Sequence, residues 1–181
     1  DAAQSFGGSI GSQKVGKLSP ITTTSFYPTK PLSCYGDGGA VFTDDDEIAM
    51  KIKSIRSHGI TDNPYENVRI GTNARFDVIQ AAVILCKLKI FDEELSRRES
   101  TSRIYNQELK NIVETPTTTT QVKSAWAHYT IRTRDRDGLR EFLTKNSIPT
   151  MIYYPKGMHE QTAYQKYLNG DPLIVSEKLC G

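Results

Sequence analysis

Ser25-Phe26-Tyr27-Pro28-Thr29-Lys30-Pro31-Leu32, followed at once by Ser33-Cys34-Tyr35-Gly36-Asp37-Gly38-Gly39-Ala40, is the stretch on which the reading of this chain turns. The residues from Pro20 to Tyr27 are rich in Ile, Thr, Ser and aromatic side chains, which suit a short strand. Pro28 and Pro31 fix the backbone on either side of Lys30, so the lysine sits on a rigid loop. The Gly36 to Gly39 cluster lacks the lysine and helix start of a Walker-type phosphate cradle, and reads as a tight turn beside Lys30.

Working outward, Ala40 to Thr43 reads as a second strand, and Asp44 to Asp46 offer N-caps for a helix from about Glu47 to His58 with Ile48, Ile52 and Ile55 on one face. Gly59 to Asn73 has no periodicity and reads as a loop. From Asp77 to about Leu109, the positions Ile79, Val83, Leu85, Leu88, Phe91 and Leu95 predict one long helix, with room for a bend, that bridges two domains. After the Pro116 to Thr120 turn, a strand at Ala127 to Arg132, a helix at Asp137 to Asn146 and a strand at Thr150 to Tyr154 are expected to form a β-α-β unit.

A chain of 181 residues can bury a real core, as one ordinary domain or two small ones. Its charged fraction of 24% balances to a net charge of +2, so no large field favours nucleic acid or a membrane surface, and neither is expected as a partner. No apolar run approaches the roughly 20 residues a bilayer requires, and the N-terminus lacks a secretory signal pattern, so a cytoplasmic protein is expected. Cys34, Cys86 and Cys180 are odd in number and far apart, which argues for reduced thiols over a disulfide framework or zinc site. His58 and His128 lack partners at metal-ligand spacing and read as structural, so no metal is expected. The opening Asp1-Ala2-Ala3-Gln4 and the closing Leu179-Cys180-Gly181 suggest a piece of a longer protein.

The segment Asp1-Ala2-Ala3-Gln4-Ser5-Phe6-Gly7, the Ser25 to Leu32 and Tyr35 to Ala40 stretches, and Asn73-Ala74-Arg75-Phe76-Asp77-Val78-Ile79-Gln80-Ala81-Ala82 together resemble the sugar aminotransferases named for DegT, DnrJ, EryC1 and StrS. Ser124-Ala125-Trp126-Ala127-His128-Tyr129-Thr130, Ile148-Pro149-Thr150 and Tyr153-Tyr154-Pro155 resemble the family's small-domain blocks, so the likeness covers nearly the whole chain. It implies an α/β fold, the pyridoxal-phosphate (PLP) dependent transferase fold type I of aspartate aminotransferase, incomplete at both ends. Residues 1–90 would be the C-terminal part of the large PLP-binding domain and 91–181 a small, incomplete α/β domain.

The resemblance also assigns roles. Lys30 would carry PLP as an imine, which requires the lysine amine to lose its proton, and once freed would serve as general base and acid. Asp1 would pair with the protonated ring nitrogen, a contact worth about 4 kcal/mol at about 4 Å and an effective dielectric near 20 before desolvation. Gln4 would contact the ring or its O3′, and Ser25 would donate to the phosphate. Asn73 would reach the cofactor phosphate of a neighbouring subunit, giving a homodimer with shared active sites, while Arg75, Tyr153, Tyr154 and His159 would face the substrate. On the residues alone, Lys30 could be an exposed loop lysine, Asp1 a frayed terminus, Gln4 a surface amide, Ser25 a strand hydroxyl, Asn73 an N-cap, Arg75 a surface charge and His159 a structural histidine.

The activity implied is two-step transamination from an amino donor, with glutamate expected, to a nucleotide-linked keto sugar, in amino-sugar or surface-polysaccharide biosynthesis. Members acting on UDP-linked 3-keto uronic acid sugars are the nearest in pattern, although many relatives carry histidine where this chain has Tyr153. Two rivals are the family's PLP-dependent dehydratases, which replace the lysine by histidine, and a non-catalytic scaffold.

Overall fold

The computed structural model describes residues 1–167 and 170–180 and divides the chain into two compact units, Asp1–Arg132 and Thr133–Gly181. In the first unit, β1 (Ser9–Ile10) pairs antiparallel with both β2 (Gln13–Lys14) and, across most of the unit, β5 (Val122–Lys123). A separate antiparallel pair joins β3 (Ile21–Ser25) to β4 (Gly39–Thr43), in register from Ile21 opposite Thr43 to Ser25 opposite Gly39. This pair holds the Lys30 stretch as the connection between its two strands.

Helix α1 (Asp46–Ile55) begins where the aspartates predict: the Asp45 side chain accepts the Ile48 amide at 3.0 Å. The long helix expected from Asp77 is two helices, α2 (Val78–Leu88) and α3 (Phe91–Leu109), broken at Lys89 and Ile90. No proline or glycine causes the break. Asp92, Glu93 and Glu94 in the first turn of α3 favour a fresh helix start through the helix dipole, while Phe91 and Leu95 turn into the core. That core joins Phe26, Leu32, Cys34, Ile84, Phe91, Leu95 and Ala125. Helix α3 supplies two of its members, so the compact unit that begins at Asp1 runs on to Arg132.

The β-α-β unit expected after residue 120 does not form. Its helix is present as α4 (Arg136–Lys145), capped by Asp135, which accepts the Gly138 amide at 2.9 Å. Residues 127–132 contribute only an isolated bridge between Arg132 and Glu114, because the segment docks by side chains: the Tyr129 hydroxyl donates to Asn106 of α3 at 2.6 Å. Residues 150–154 have strand-forming side chains but no partner strand among the described residues of the second unit, and a strand without a ladder has nothing to satisfy its backbone. A short helix, α5 (Ile174–Cys180), completes that unit. No helix among the described residues is long and apolar enough to cross a membrane.

Candidate active site

Lys30 lies half-buried on a loop closed upon itself. The Phe26 amide donates to the Gly38 carbonyl at 2.8 Å, the Cys34 amide to the Phe26 carbonyl at 2.8 Å, and the Lys30 amide to the Tyr27 carbonyl at 2.9 Å. Cys34 is wholly buried and its thiol lies 3.2 Å from the carbonyls of both Phe26 and Gly36, so it is a tie within the loop as well as a small apolar filler. Gly38 must be glycine here: a Cβ would overlap the Phe76 ring and press on Cys34 Sγ. The segment between β3 and β4 is a loop closed by its own backbone bonds, where its prolines and glycines predict a loop.

Helix α2 fastens the same loop from outside. Gln80 Oε1 accepts the Tyr35 amide at 2.7 Å, and Lys87 Nζ donates to Ser33 Oγ at 3.2 Å while lying 4.7 Å from the centre of the Tyr35 ring. Neither residue stood out in the sequence as functional. The available signal was two polar side chains at Gln80 and Lys87 sharing a helical stripe with core-facing Ile84 in an otherwise apolar segment.

The Asp1 to Gly7 segment is a turn bound to β3. The buried Ala2 donates its amide to the Thr23 carbonyl at 2.7 Å, and Thr24 Oγ1 returns a bond to the Ala2 carbonyl at 3.3 Å. Asp1 is exposed and one of its carboxylate oxygens accepts the Ala3 amide at 2.8 Å, so the terminus is held in a defined turn. Gln4 is exposed on that turn. Ser25 ends β3, five residues before Lys30; its hydroxyl accepts the Tyr27 amide at 3.2 Å and as a hydroxyl can still donate a bond elsewhere.

Asn73 and Arg75 are exposed on a segment pinned to the end of α1 through the Thr72 and Ala74 amides. Arg75 Nε donates to Asn73 Oδ1 at 3.2 Å. The N-cap of α2 is Asp77, not Asn73: the Asp77 carboxylate accepts the Ile79 amide at 2.8 Å. In the second unit, Tyr153 and Tyr154 are exposed with ring centres 5.3 Å apart. His159 is turned inward on a single 3-10 turn, its side chain 14% exposed and Nε2 3.4 Å from Glu177 Oε1, within ion-pair reach but without hydrogen-bond geometry. Asp1, Gln4, Ser25, Lys30, Asn73 and Arg75 therefore belong to the first unit, and Tyr153, Tyr154 and His159 to the second.

A concavity of about 1460 Å³ opens over β3, β4 and α1, walled by Phe6, Phe26, Val41, Phe42, Ile52 and Phe76. None of Asp1, Gln4, Ser25 or Lys30 lines it. Among the described residues no cluster of His, Cys, Asp and Glu is arranged to hold a metal ion.

The Ser124 to Thr130 block is anchored on α3. The Trp126 indole donates to Glu99 Oε2 at 2.7 Å, and that bond, opposed by partial burial and aided by the Arg103 guanidinium, holds the Glu99 carboxyl below its ordinary value of 4.5. A carboxylate held low stabilises the fold above its ordinary value and loses that contribution as pH falls through the depressed one. Acid titration is therefore expected to release Trp126 at a pH below 4.5. Trp126 is the single tryptophan, so its fluorescence reports the step, and Glu99→Gln should abolish that transition.

The sequence model of the DegT/DnrJ/EryC1/StrS aminotransferase family matches residues 1–181. The chain belongs to that family. The family is PLP-dependent. The chain is 43% identical over 164 residues to a Pseudomonas aeruginosa protein described as UDP-2-acetamido-2-deoxy-3-oxo-D-glucuronate aminotransferase, covering 90% of this chain and 45% of the relative. Its fold superposes on a DegT DnrJ EryC1 StrS aminotransferase from Brucella abortus with a TM-score of 0.95 at 48% identity, covering 99% of this chain and 48% of that one. On DesV from S. venezuelae, solved in complex with a ketimine intermediate, the TM-score is 0.94 at 34% identity, with 99% and 49% covered. The chain thus has the α/β fold type I architecture of these DegT-family enzymes and spans about half the length of the relatives it matches.

Proposed function

We propose that the protein transfers an amino group to a nucleotide-linked keto sugar, with PLP held at Lys30. The observation that carries this reading is the closed Phe26 to Gly38 loop, which presents a half-buried lysine beside a strand ending in a hydroxyl, in a chain matched throughout by an aminotransferase family.

The donor set suits the cofactor chemically: an amine for its aldehyde at Lys30, a hydroxyl donor for its phosphate at Ser25, and a carboxylate for its ring nitrogen at Asp1. When bound, PLP supplies the electron sink that lets an amino donor's α-carbon lose a proton. Lys30 Nζ would hold the cofactor and, as a free amine, would take and return that proton. Asp1 keeps the ring nitrogen protonated, and its bond to the Ala3 amide fixes the carboxylate's direction. Gln4 orients the ring, while Asn73 and Arg75 serve a cofactor phosphate and substrate, the former across a dimer interface. Support for a homodimer is the bare apolar face of α2 beside them, where Val78 is 81%, Ile79 73% and Leu85 64% exposed.

Residues 1–90 are proposed as the later part of a large cofactor domain, because an isolated two-stranded pair bordered by an apolar concavity is marginal without further strands. Residues 91–181 are proposed as most of a small domain carrying Tyr153, Tyr154 and His159 toward the sugar. The substrate proposed is a UDP-linked 3-keto sugar, the class named for the Pseudomonas relative, with glutamate as donor and the cytoplasm as the site of reaction.

The test is to incubate the protein with PLP, glutamate and a panel of nucleotide-linked keto sugars, measuring 2-oxoglutarate and the amino sugar. Stoichiometric formation of both, fastest with UDP-linked 3-keto sugars, is expected. Turnover of none of the panel would contradict the reading.

A further inference from the structure

The loop that carries Lys30 has two kinds of restraint. Its own bonds, Phe26 to Gly38 and Cys34 to Phe26, close it but do not fix where it sits. The outer restraint comes from one stripe of α2: Ile84 packs into the core with Leu32 and Cys34, Gln80 accepts the Tyr35 amide, and Lys87 engages Ser33 and the Tyr35 ring. Tyr35 is itself exposed, so without Gln80 its amide would be satisfied by water, and the segment after the buried Leu32 and Cys34 would lose a tie to α2. Gln80 is 45 residues away in sequence, and its 2.7 Å bond is a side-chain acceptor aimed at a loop amide five residues past Lys30.

We propose that Gln80 is a positioning residue for Lys30, acting through the Tyr35 amide, with Lys87 as a second anchor. The inference rests on the reading of Lys30 as the cofactor lysine. Its consequence is that α2, which directly follows Asn73 and Arg75, sets the register of the lysine loop.

The experiment compares the wild-type protein with Gln80→Leu, which removes the acceptor, Gln80→Glu, which keeps one, and Lys87→Met. Two quantities are read well below the melting temperature: amide hydrogen exchange across residues 32–36 without cofactor, and the rate at which added PLP becomes borohydride-trapped on Lys30. Gln80→Leu is expected to exchange the Tyr35 amide and to slow trapping by about five- to tenfold each, the scale of one lost hydrogen bond. Gln80→Glu should restore trapping to within about twofold, and Lys87→Met should slow it about two- to threefold. Trapping equally fast in the wild type and Gln80→Leu would overturn the role of Gln80 alone, as would a Gln80→Glu protein as slow as Gln80→Leu. If Gln80→Leu does not fold, the Gln80→Glu and Lys87→Met rates decide in the same way. No trapping at Lys30 in the wild type would instead overturn the reading of Lys30, and with it the role assigned here.

Discussion

The Lys30→Ala protein is expected to fold normally and to lose amino-transfer activity by about 10⁴-fold, the upper end of what a positioned acid–base group contributes. In the proposed role, two functions would disappear with one side chain: the hold on the cofactor and the proton carrier. Stability should change little, within about 0.5 kcal/mol, because Lys30 lies outside the core and the Lys30 to Tyr27 backbone bond survives the substitution. Initial rates and thermal unfolding measured on the same preparation separate the two effects. Lys30→Arg keeps the charge but not the chemistry, and should be as inactive as the alanine variant.

Phe91→Ala should produce the largest loss of stability, about 3–5 kcal/mol for the first unit, seen as a melting temperature lower by about 10–15 °C in calorimetry. Phe91 is buried at the start of α3 and stacks on Phe6 with centroids 6.0 Å apart; Phe6 in turn stacks on Phe42 at 5.6 Å. Gly7, at φ +97°, brings the chain so close that a Cβ would lie 2.8 Å from Leu95 Cδ1 and 2.9 Å from the Phe91 ring. The aromatic stack therefore seats the turn that bears Asp1 and Gln4, and emptying it should weaken cofactor retention as well as stability. Ser100→Ala, on an exposed position of the same helix, should shift the melting temperature by no more than about 2 °C.

What was legible in the sequence follows the range of the forces involved. That Lys30 sits on a loop could be read from prolines and glycines within a few residues of it, and α1 and α4 from aspartate caps and helical spacing. Strands at 127–132 and 150–154 could not be judged that way, because Val, Ile, Tyr and Thr make a strand only where a partner edge exists. The break at Lys89 and Ile90 was hidden for a similar reason: only the core shows why Phe91 turns inward. The motif residues Asp1, Ser25 and Lys30 could be named from pattern, whereas Gln80 and Lys87 act on groups 45 and 54 residues distant, and nothing local advertises such a contact. His159 was read as facing a substrate; its Nε2 lies 3.4 Å from Oε1 of Glu177 on α5, a neighbour that nothing local to His159 announces.

The most direct test of the central claim is to add PLP to the protein, reduce with borohydride, digest, and locate the phosphopyridoxyl mass by mass spectrometry. The account predicts that mass on the peptide bearing Lys30, in near-stoichiometric yield and absent from Lys30→Ala. Its appearance on other lysines at equal yield in both proteins, or on none, would contradict the account.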